Sequence, residues 1–303
     1  MALAPTADLV TSPALVRALL AAQAPALADL PVTPYAHGWD NDLYQLGDGL
    51  LVRLPRREVA AGLIENEVRC LPLIASLVTA RTPQPVFAGV AGERFPRPWS
   101  VVEHIPGTVV SSLPVVDRGE LAVDLADFIW SLHVPAAGRA PVNPVRGGSL
   151  ARPEADARLR DRLTLLAEAG DAALAAALLP RWEAWVHAPE FDGIDVWLHG
   201  DLHPHNLVAG PDGRLAGVLD WGDVTSGDPA CDLATAWLTF DAAGRAVFID
   251  RVNSGGPIDA ATWARAKAWA LHLGLLLATA NDDLPALSAI GRHTLEALAA
   301  ETA

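Results

Sequence analysis

An aspartate, an asparagine five residues later and a second aspartate beyond a short apolar stretch are the groups in this chain best placed to do chemistry together. They are Asp201, Asn206 and Asp220. A polar loop from His199 to Asn206 leads into the apolar run Leu207 to Ala209, a turn at Gly210 to Gly213, and a second apolar run, Leu215 to Leu219. Two short strands joined by that turn predict a hairpin whose neighbouring ends hold the loop and Asp220. Phosphoryl transfer needs this set of groups. One carboxylate accepts the proton of a hydroxyl, while an amide oxygen and a second carboxylate serve as hard ligands for Mg²⁺. Two other readings stand beside it. One is a polar surface loop followed by an acidic turn; the other, raised by His199, His203 and His205, is a zinc site of a hydrolase.

The run His199-Gly200-Asp201 with Asn206, followed by Asp220-Trp221-Gly222, resembles the catalytic loop and metal-binding turn of protein kinases in variant form. It is more similar still to the aminoglycoside phosphotransferase family, whose members share the kinase fold and carry a His-Gly-Asp-x-x-x-x-Asn loop. The resemblance implies an α+β, two-lobed protein-kinase-like fold: a nucleotide-binding lobe over residues 1–104 with a leading helix, and a mainly helical catalytic lobe over 105–303. It implies Asp201 as the base, Asn206 and Asp220 as Mg²⁺ ligands, and ATP or GTP as phosphoryl donor. His199 is expected to hold the loop and the Asp220 region through ring hydrogen bonds, and His203 to approach phosphate or substrate. Asp223, Asp228 and Asp232 are expected to brace the site. For Asp228 the alternative is capping of a helix that begins with Pro229.

The elements that must position these groups follow from the pattern upstream. Ser12 and Pro13 open a helix carrying Leu15, Leu19 and Leu20, ended by Pro31. The short runs Val32 to Ala36, Asn41 to Leu46 and Leu50 to Leu54, separated by glycines, predict a small antiparallel sheet. The turn Gly38-Trp39-Asp40-Asn41-Asp42 lies between the first two strands and, by resemblance, covers the nucleotide, Gly38 and Asn41 included. Arg53 lies on the third strand opposite apolar neighbours, where the resemblance implies a phosphate-binding lysine. Arginine keeps the charge but presents a larger, planar fork. Glu58 to Ser76 reads as a helix with Leu63, Glu67, Leu71 and Ile74 on one face. The resemblance implies Glu67 as the partner of Arg53, with Glu58 and Glu65 as rivals in register. Strands led by Pro83 and by Trp99 follow, and the resemblance implies that Glu103, His104 and Ile105 offer main-chain groups to a purine edge.

From Asp117 onward helical spacing dominates, interrupted by a Pro/Gly/Ala-rich loop from Pro135 to Pro153, too long for an idle connection and therefore either mobile or part of a binding rim. Helices are expected over 156–168, 172–186, 262–280 and 287–298, with Asn281-Asp282-Asp283 stopping the third and offering acids near the start of the last. The chain has 303 residues, 22 basic against 36 acidic side chains and a formal charge of −14, which disfavours a nucleic-acid partner and suits a cationic acceptor. Two cysteines without a paired motif, and apolar runs too short to span a bilayer, fit a cytoplasmic protein with no membrane partner. Lys267 is the single lysine. The acceptor class stays open between an aminoglycoside and a choline-, sugar- or amino-acid-like metabolite, and a nucleotide-binding protein without catalysis is the other alternative.

Overall fold

The computed structural model describes residues 7–280 and 284–301. The first helix, α1 (Pro13–Gln23), starts where Ser12 Oγ accepts the Leu15 N–H at 3.2 Å. It buries Val16, Leu19 and Leu20 against one face of a five-stranded sheet. The strands are β1 (Val32–His37), β2 (Asn41–Leu46), β3 (Leu50–Pro55), β4 (Pro85–Gly89) and β5 (Trp99–Glu103), in the order β1-β2-β3-β5-β4 and antiparallel throughout. At Gly89 an added Cβ would lie 2.0 Å from the Trp99 indole, so only glycine lets that ring cover the edge of the sheet.

Helix α2 (Ala61–Ile74) follows a single 3₁₀ turn at Glu58–Ala60, a tighter start than the continuous helix expected from Glu58. Its Cys70, Leu71 and Ile74 belong to the core of the helical C-terminal part, while Glu67 turns toward β3. The helix is therefore anchored on one side of the cleft and presents a carboxylate to the other.

The C-terminal part is mainly helical. Strand β6 (Thr108–Val109) pairs with β8 (Leu207–Ala209), which pairs with β9 (Leu215–Val218), and β7 (Val196–Leu198) pairs with β10 (Thr225–Gly227). Helices α3 (Ala122–Leu132), α4 (Pro153–Leu166), α5 (Ala172–Val186), α6 (Ala230–Leu233), α7 (Thr235–Thr239), α8 (Ala242–Gly255), α9 (Ala260–Thr279) and α10 (Pro285–Ala299) surround these ribbons. The stretch from α4 to α5 has the length and hydropathy of a membrane span, but Gly170 at φ 107° breaks it, and both halves rest on α9. Helix α8 is absent from the sequence expectations because Phe248 and Val252 alone make too thin a stripe. The Asn281-Asp282-Asp283 stop lies outside the described residues.

The core is organised on α9, buried from Ala268 to Leu275, and on its contact with α10. The two backbones touch at glycines: a Cβ on Gly291 would sit 2.3 Å from the Ala278 nitrogen and 2.6 Å from the Gly274 oxygen. Since backbone cannot yield as a flexible side chain does, Gly291→Ala is expected to destabilise the chain by about 2 kcal/mol. Thermal melts of the two proteins check this, and equal midpoints would mean the helices do not meet there. In the N-terminal half of α9 the single lysine is largely covered. Lys267 Nζ lies 3.0 Å from Glu301 Oε2 and over the rings of Trp185 and Trp237 at 5.6 and 5.7 Å, while Trp237 Nε1 donates to the other oxygen of Glu301 at 3.0 Å.

Candidate active site

The loop from His199 to Asn206 is fixed from behind by buried groups. The Asp232 carboxylate, on α6, accepts the main-chain N–H of His199 at 2.8 Å and of Gly200 at 2.9 Å, and faces His133 Nε2 at 3.3 Å. His199 is wholly buried, its ring 4.7 Å from that of Trp221. Its Nδ1 accepts the Asp201 N–H at 3.2 Å and its Nε2–H donates to the Leu219 carbonyl at 2.9 Å. One ring thus links the residue before Asp220 to the start of Asp201, with neither nitrogen left for a metal. Gly200 has φ +85° and would place a Cβ 2.5 Å from the Asp223 oxygen, so a side chain there is excluded twice.

Asp201 stands at the mouth of this loop. Its Oδ2 faces His203 Nε2 at 3.2 Å and Asn206 Nδ2 at 3.4 Å, and its carbonyl accepts the same Asn206 nitrogen at 2.9 Å. Its Oδ1 meets Arg146 Nη2 at 3.3 Å. Although burial pushes the carboxyl up, His203 and Arg146 hold it well below the usual carboxylate range. The Asn206 amide is oriented by donating through Nδ2, which leaves its oxygen as the atom it can offer a cation. Leu219 N–H donates to the Asn206 carbonyl at 2.8 Å, so the hairpin brings Asn206 and Asp220 side by side. Asp220 itself has φ 56°, an uncommon conformation for a residue with a side chain and a local strain often found at functional positions.

Across the cleft, Arg53 is buried between two acids. Its Nη1 lies 2.5 Å from Glu67 Oε1 and its Nη2 lies 2.9 Å from Asp220 Oδ1. Neither Glu58 nor Glu65 makes that contact; Glu67 alone of the three is buried. Burial pushes the Glu67 carboxyl up to about 7 against the pull of Arg53, and Glu67 and Asp220 in turn hold the guanidinium charged despite its burial.

Arg53, Arg146, Asp201, His203, Asn206 and Asp220 line one cleft of about 620 Å³ between the sheet and the helical part. Its roof is the β1–β2 turn, where Gly38 N–H donates to the Asn41 carbonyl at 2.9 Å. Glu103, His104 and Ile105 form its back. Among the described residues ten buried side-chain polar atoms have no hydrogen-bond partner, and four of them line this cleft: Asn41 Oδ1, Arg53 Nε, Arg146 Nε and His203 Nδ1. Buried polar atoms are rarely left unpaired. Their gathering here marks the cleft as a place where a polar ligand would complete the bonding.

The remaining acids behave differently from one another. Asp223 receives Asn143 Nδ2 at 2.7 Å and Arg146 Nη2 at 3.2 Å, and burial raises its carboxyl. Asp228 accepts the Ala230 N–H at 3.0 Å, as a cap would, and also binds Arg265 Nε at 2.6 Å, tying α6 to α9. His205 is engaged with Ser111 Oγ at 2.9 Å. Among the described residues no group of three or more His, Cys, Asp or Glu has a metal-holding arrangement. Arg146 and Asn143 escaped the sequence reading. The signal available was an isolated charged residue between Pro144 and Gly147 in a long Pro/Gly-rich loop, since such loops often carry function.

Burial alone would raise Asp232, but His133, His199 and the Gly200 N–H hold it below its ordinary value of 3.8. A carboxyl depressed on folding contributes stability above its unfolded value and loses it as pH falls through the folded one. The melting temperature of the native chain is therefore expected to fall more steeply below about pH 4 than that of Asp232→Asn, which has no charge to lose. Parallel slopes in melts taken across that window would count against the assignment.

The sequence profile of the phosphotransferase enzyme family matches residues 31–269. Viomycin phosphotransferase of Streptomyces vinaceus is 29% identical over 207 residues, 64% of this chain and 69% of that protein. The uncharacterized protein YcbJ of Bacillus subtilis is 24% identical over 213 residues, 69% of this chain, and the match spans 63% of its length. Among solved structures, the macrolide 2'-phosphotransferase MphH of Brachybacterium faecium is 26% identical, with a TM-score of 0.61 over 94% of this chain and 99% of its own. The GDP complex of aminoglycoside 2'-phosphotransferase-IIIa shares the fold at 19% identity, with a TM-score of 0.68 over 96% and 99% of the two chains. A family match over most of the chain, and a common fold along nearly all of it, place this protein in the phosphotransferase enzyme family.

Proposed function

We propose that the chain transfers the terminal phosphoryl group of ATP or GTP to a hydroxyl of a small molecule, with Mg²⁺. The observation that carries this reading is the convergence of Asp201, Asn206, Asp220 and the Arg53–Glu67 pair on one cleft. Asp201 would accept the hydroxyl proton as the new P–O bond forms. Arg53, steadied by Glu67, would grip phosphate. The Asn206 amide oxygen and the Asp220 carboxylate are the hard oxygens that would hold Mg²⁺, whose charge would offset that of the phosphates.

The boundary between a nucleotide lobe, 1–104, and a catalytic lobe, 105–303, is supported by the chain path. The sheet ends at Glu103, and Thr108 already pairs with Ala209. Within this connection the Glu103 N–H is taken by the Gln84 carbonyl and the His104 N–H by the Gly49 carbonyl, each at 2.9 Å. The groups left for a purine edge are the Glu103 carbonyl and the Ile105 N–H. Gly38 and Asn41 would close over the phosphates, with the unpaired Asn41 oxygen available to a ligand. His203 would sit close to the acceptor, and His199, Asp223, Asp228 and Asp232 would hold the frame.

The acceptor side is walled by Leu276, Leu277, Leu284 and Pro285, with Asp223 and Asp201 at its floor. The ammonium groups of an aminoglycoside would fit the acids, and a macrolide-like or metabolite body would fit the apolar wall. A screen with Mg²⁺, ATP or GTP and a panel of aminoglycosides, macrolides, viomycin and hydroxylated metabolites, read by mass for an added phosphoryl group, tests the reading. Arginine in the usual lysine position favours the second reading, a nucleotide binder without transfer. Tight nucleotide binding with no product across the panel would support it, and absence of nucleotide binding would sink both.

A further inference from the structure

The loop between α3 and α4 carries a residue that the family reading leaves without a role. Arg146 lines the cleft with its side chain only 11% exposed. A single nitrogen, Nη2, faces two carboxylates: Asp201 Oδ1 at 3.3 Å and Asp223 Oδ2 at 3.2 Å. The backbone that delivers it is locked on both sides. Asn143 Nδ2 donates to Asp223 and its N–H to Thr225 Oγ1 at 3.3 Å, while the Gly147 carbonyl accepts the Asp228 N–H at 3.0 Å. Gly147 has φ +70°, and a Cβ there would lie 2.8 Å from Leu198 Cδ1. A Cβ on Gly227 would lie 2.2 Å from the Gly147 oxygen. The loop is thus pressed onto β7 and β10 and, as part of the cleft's rim, inserts one cation beside Asp201.

We propose that Arg146 is a positioning residue that fixes the plane of the Asp201 carboxylate, bridging it to Asp223, so that Asp201 meets the acceptor hydroxyl from one direction. The inference rests on the phosphotransferase reading above. Asp201 is held at both oxygens, Oδ1 by Arg146 and Oδ2 by His203 and Asn206. An ionised carboxylate has about four lone-pair directions, so these contacts orient it and still leave one for the hydroxyl. Without the guanidinium, Oδ1 would lose its partner and face the charge of Asp223. The carboxylate would then turn, and misplacement of about 1 Å in a reacting group can cost on the order of 100-fold in rate.

Two measurements on the full chain test this. The first uses crystals of the native chain and of Arg146→Ala grown without nucleotide. Asp201 is expected to hold one side-chain conformation in the native chain and to rotate or divide between two in the variant. An unmoved Asp201 overturns the proposal whatever the chain phosphorylates. The second is hydrolysis of Mg·ATP and Mg·GTP, with water as acceptor. Arg146→Ala is expected to lower kcat about tenfold or more with the nucleotide KM unchanged. Arg146→Lys should fall between, and added guanidinium should restore part of the loss in Arg146→Ala. Native-like kcat in Arg146→Ala, or kcat and KM changed together without rescue, would reject a positioning role. Failure of the native chain itself to bind nucleotide would instead strike the parent reading, leaving the crystal comparison to decide this one.

Discussion

Asp201→Asn is expected to lower phosphoryl transfer by about 100- to 10,000-fold while nucleotide affinity changes little. The reason lies in what each neighbour of Asp201 would still find. The variant keeps an oxygen for Arg146 or Asn206 and nearly the same volume, so the loop held by Asp232 and His199 has no cause to move. What disappears is the charge that can accept a proton from an attacking hydroxyl. Because phosphoryl transfer depends chiefly on alignment and charge, removal of the base should appear in kcat. The measurement is a steady-state comparison with the acceptor found in the mass-detected screen, together with the affinity for a fluorescent ATP analogue. Transfer unchanged within a factor of two would remove Asp201 from the role proposed for it.

The second large effect concerns Arg53. Replacing it with Met should abolish measurable transfer and also cost about 3–5 kcal/mol of stability, because Glu67 would be left buried without its partner. In the native chain burial already pushes Glu67 up to about 7. Without Arg53 its carboxyl would move higher still and be protonated at neutral pH. The chain should then lose stability as pH rises through the new folded value, since the unfolded chain sheds that proton first. Replacing both partners, Arg53→Met with Glu67→Leu, removes the buried charge together with the cation. It is expected to recover most of the stability and none of the transfer. Denaturant melts and transfer assays on the pair separate the two contributions. A single variant as stable as the native chain would mean that the pair is not buried as described, and a double variant with restored transfer would remove Arg53 from the phosphate site.

Much of this architecture is local and therefore legible in sequence. The hairpin from Leu207 to Val218 has its turn residues and apolar runs in order. The glycine-separated strands announce the sheet, and Arg53 falls on its third strand because that strand's period is regular. Other features depend on residues distant in the chain. Arg146 reaches Asp201 across 55 positions, and nothing in the loop's composition tells which way its side chain points. The choice among Glu58, Glu65 and Glu67 required the helix start, which a 3₁₀ turn shifts. Helix α8 is held by its packing on α3 rather than by an apolar stripe of its own. The apolar wall of the cleft is likewise a tertiary product, lined by Leu276 and Leu277 from α9 and by Pro285 and Leu287 from α10.

The enclosure of Lys267 between Glu301 and two indoles has a practical side. Reagents that acylate amines, including nucleotide esters aimed at the lysine of kinase-like clefts, find no side-chain amine in this cleft, because the cation proposed to face phosphate is Arg53 and the chain's one lysine lies in the N-terminal half of α9, paired with Glu301. A blank in such labelling would say nothing about nucleotide occupancy. Dicarbonyl reagents, which condense with guanidinium, are the chemistry matched to this surface, and protection of Arg53 by nucleotide against them is the footprint to seek.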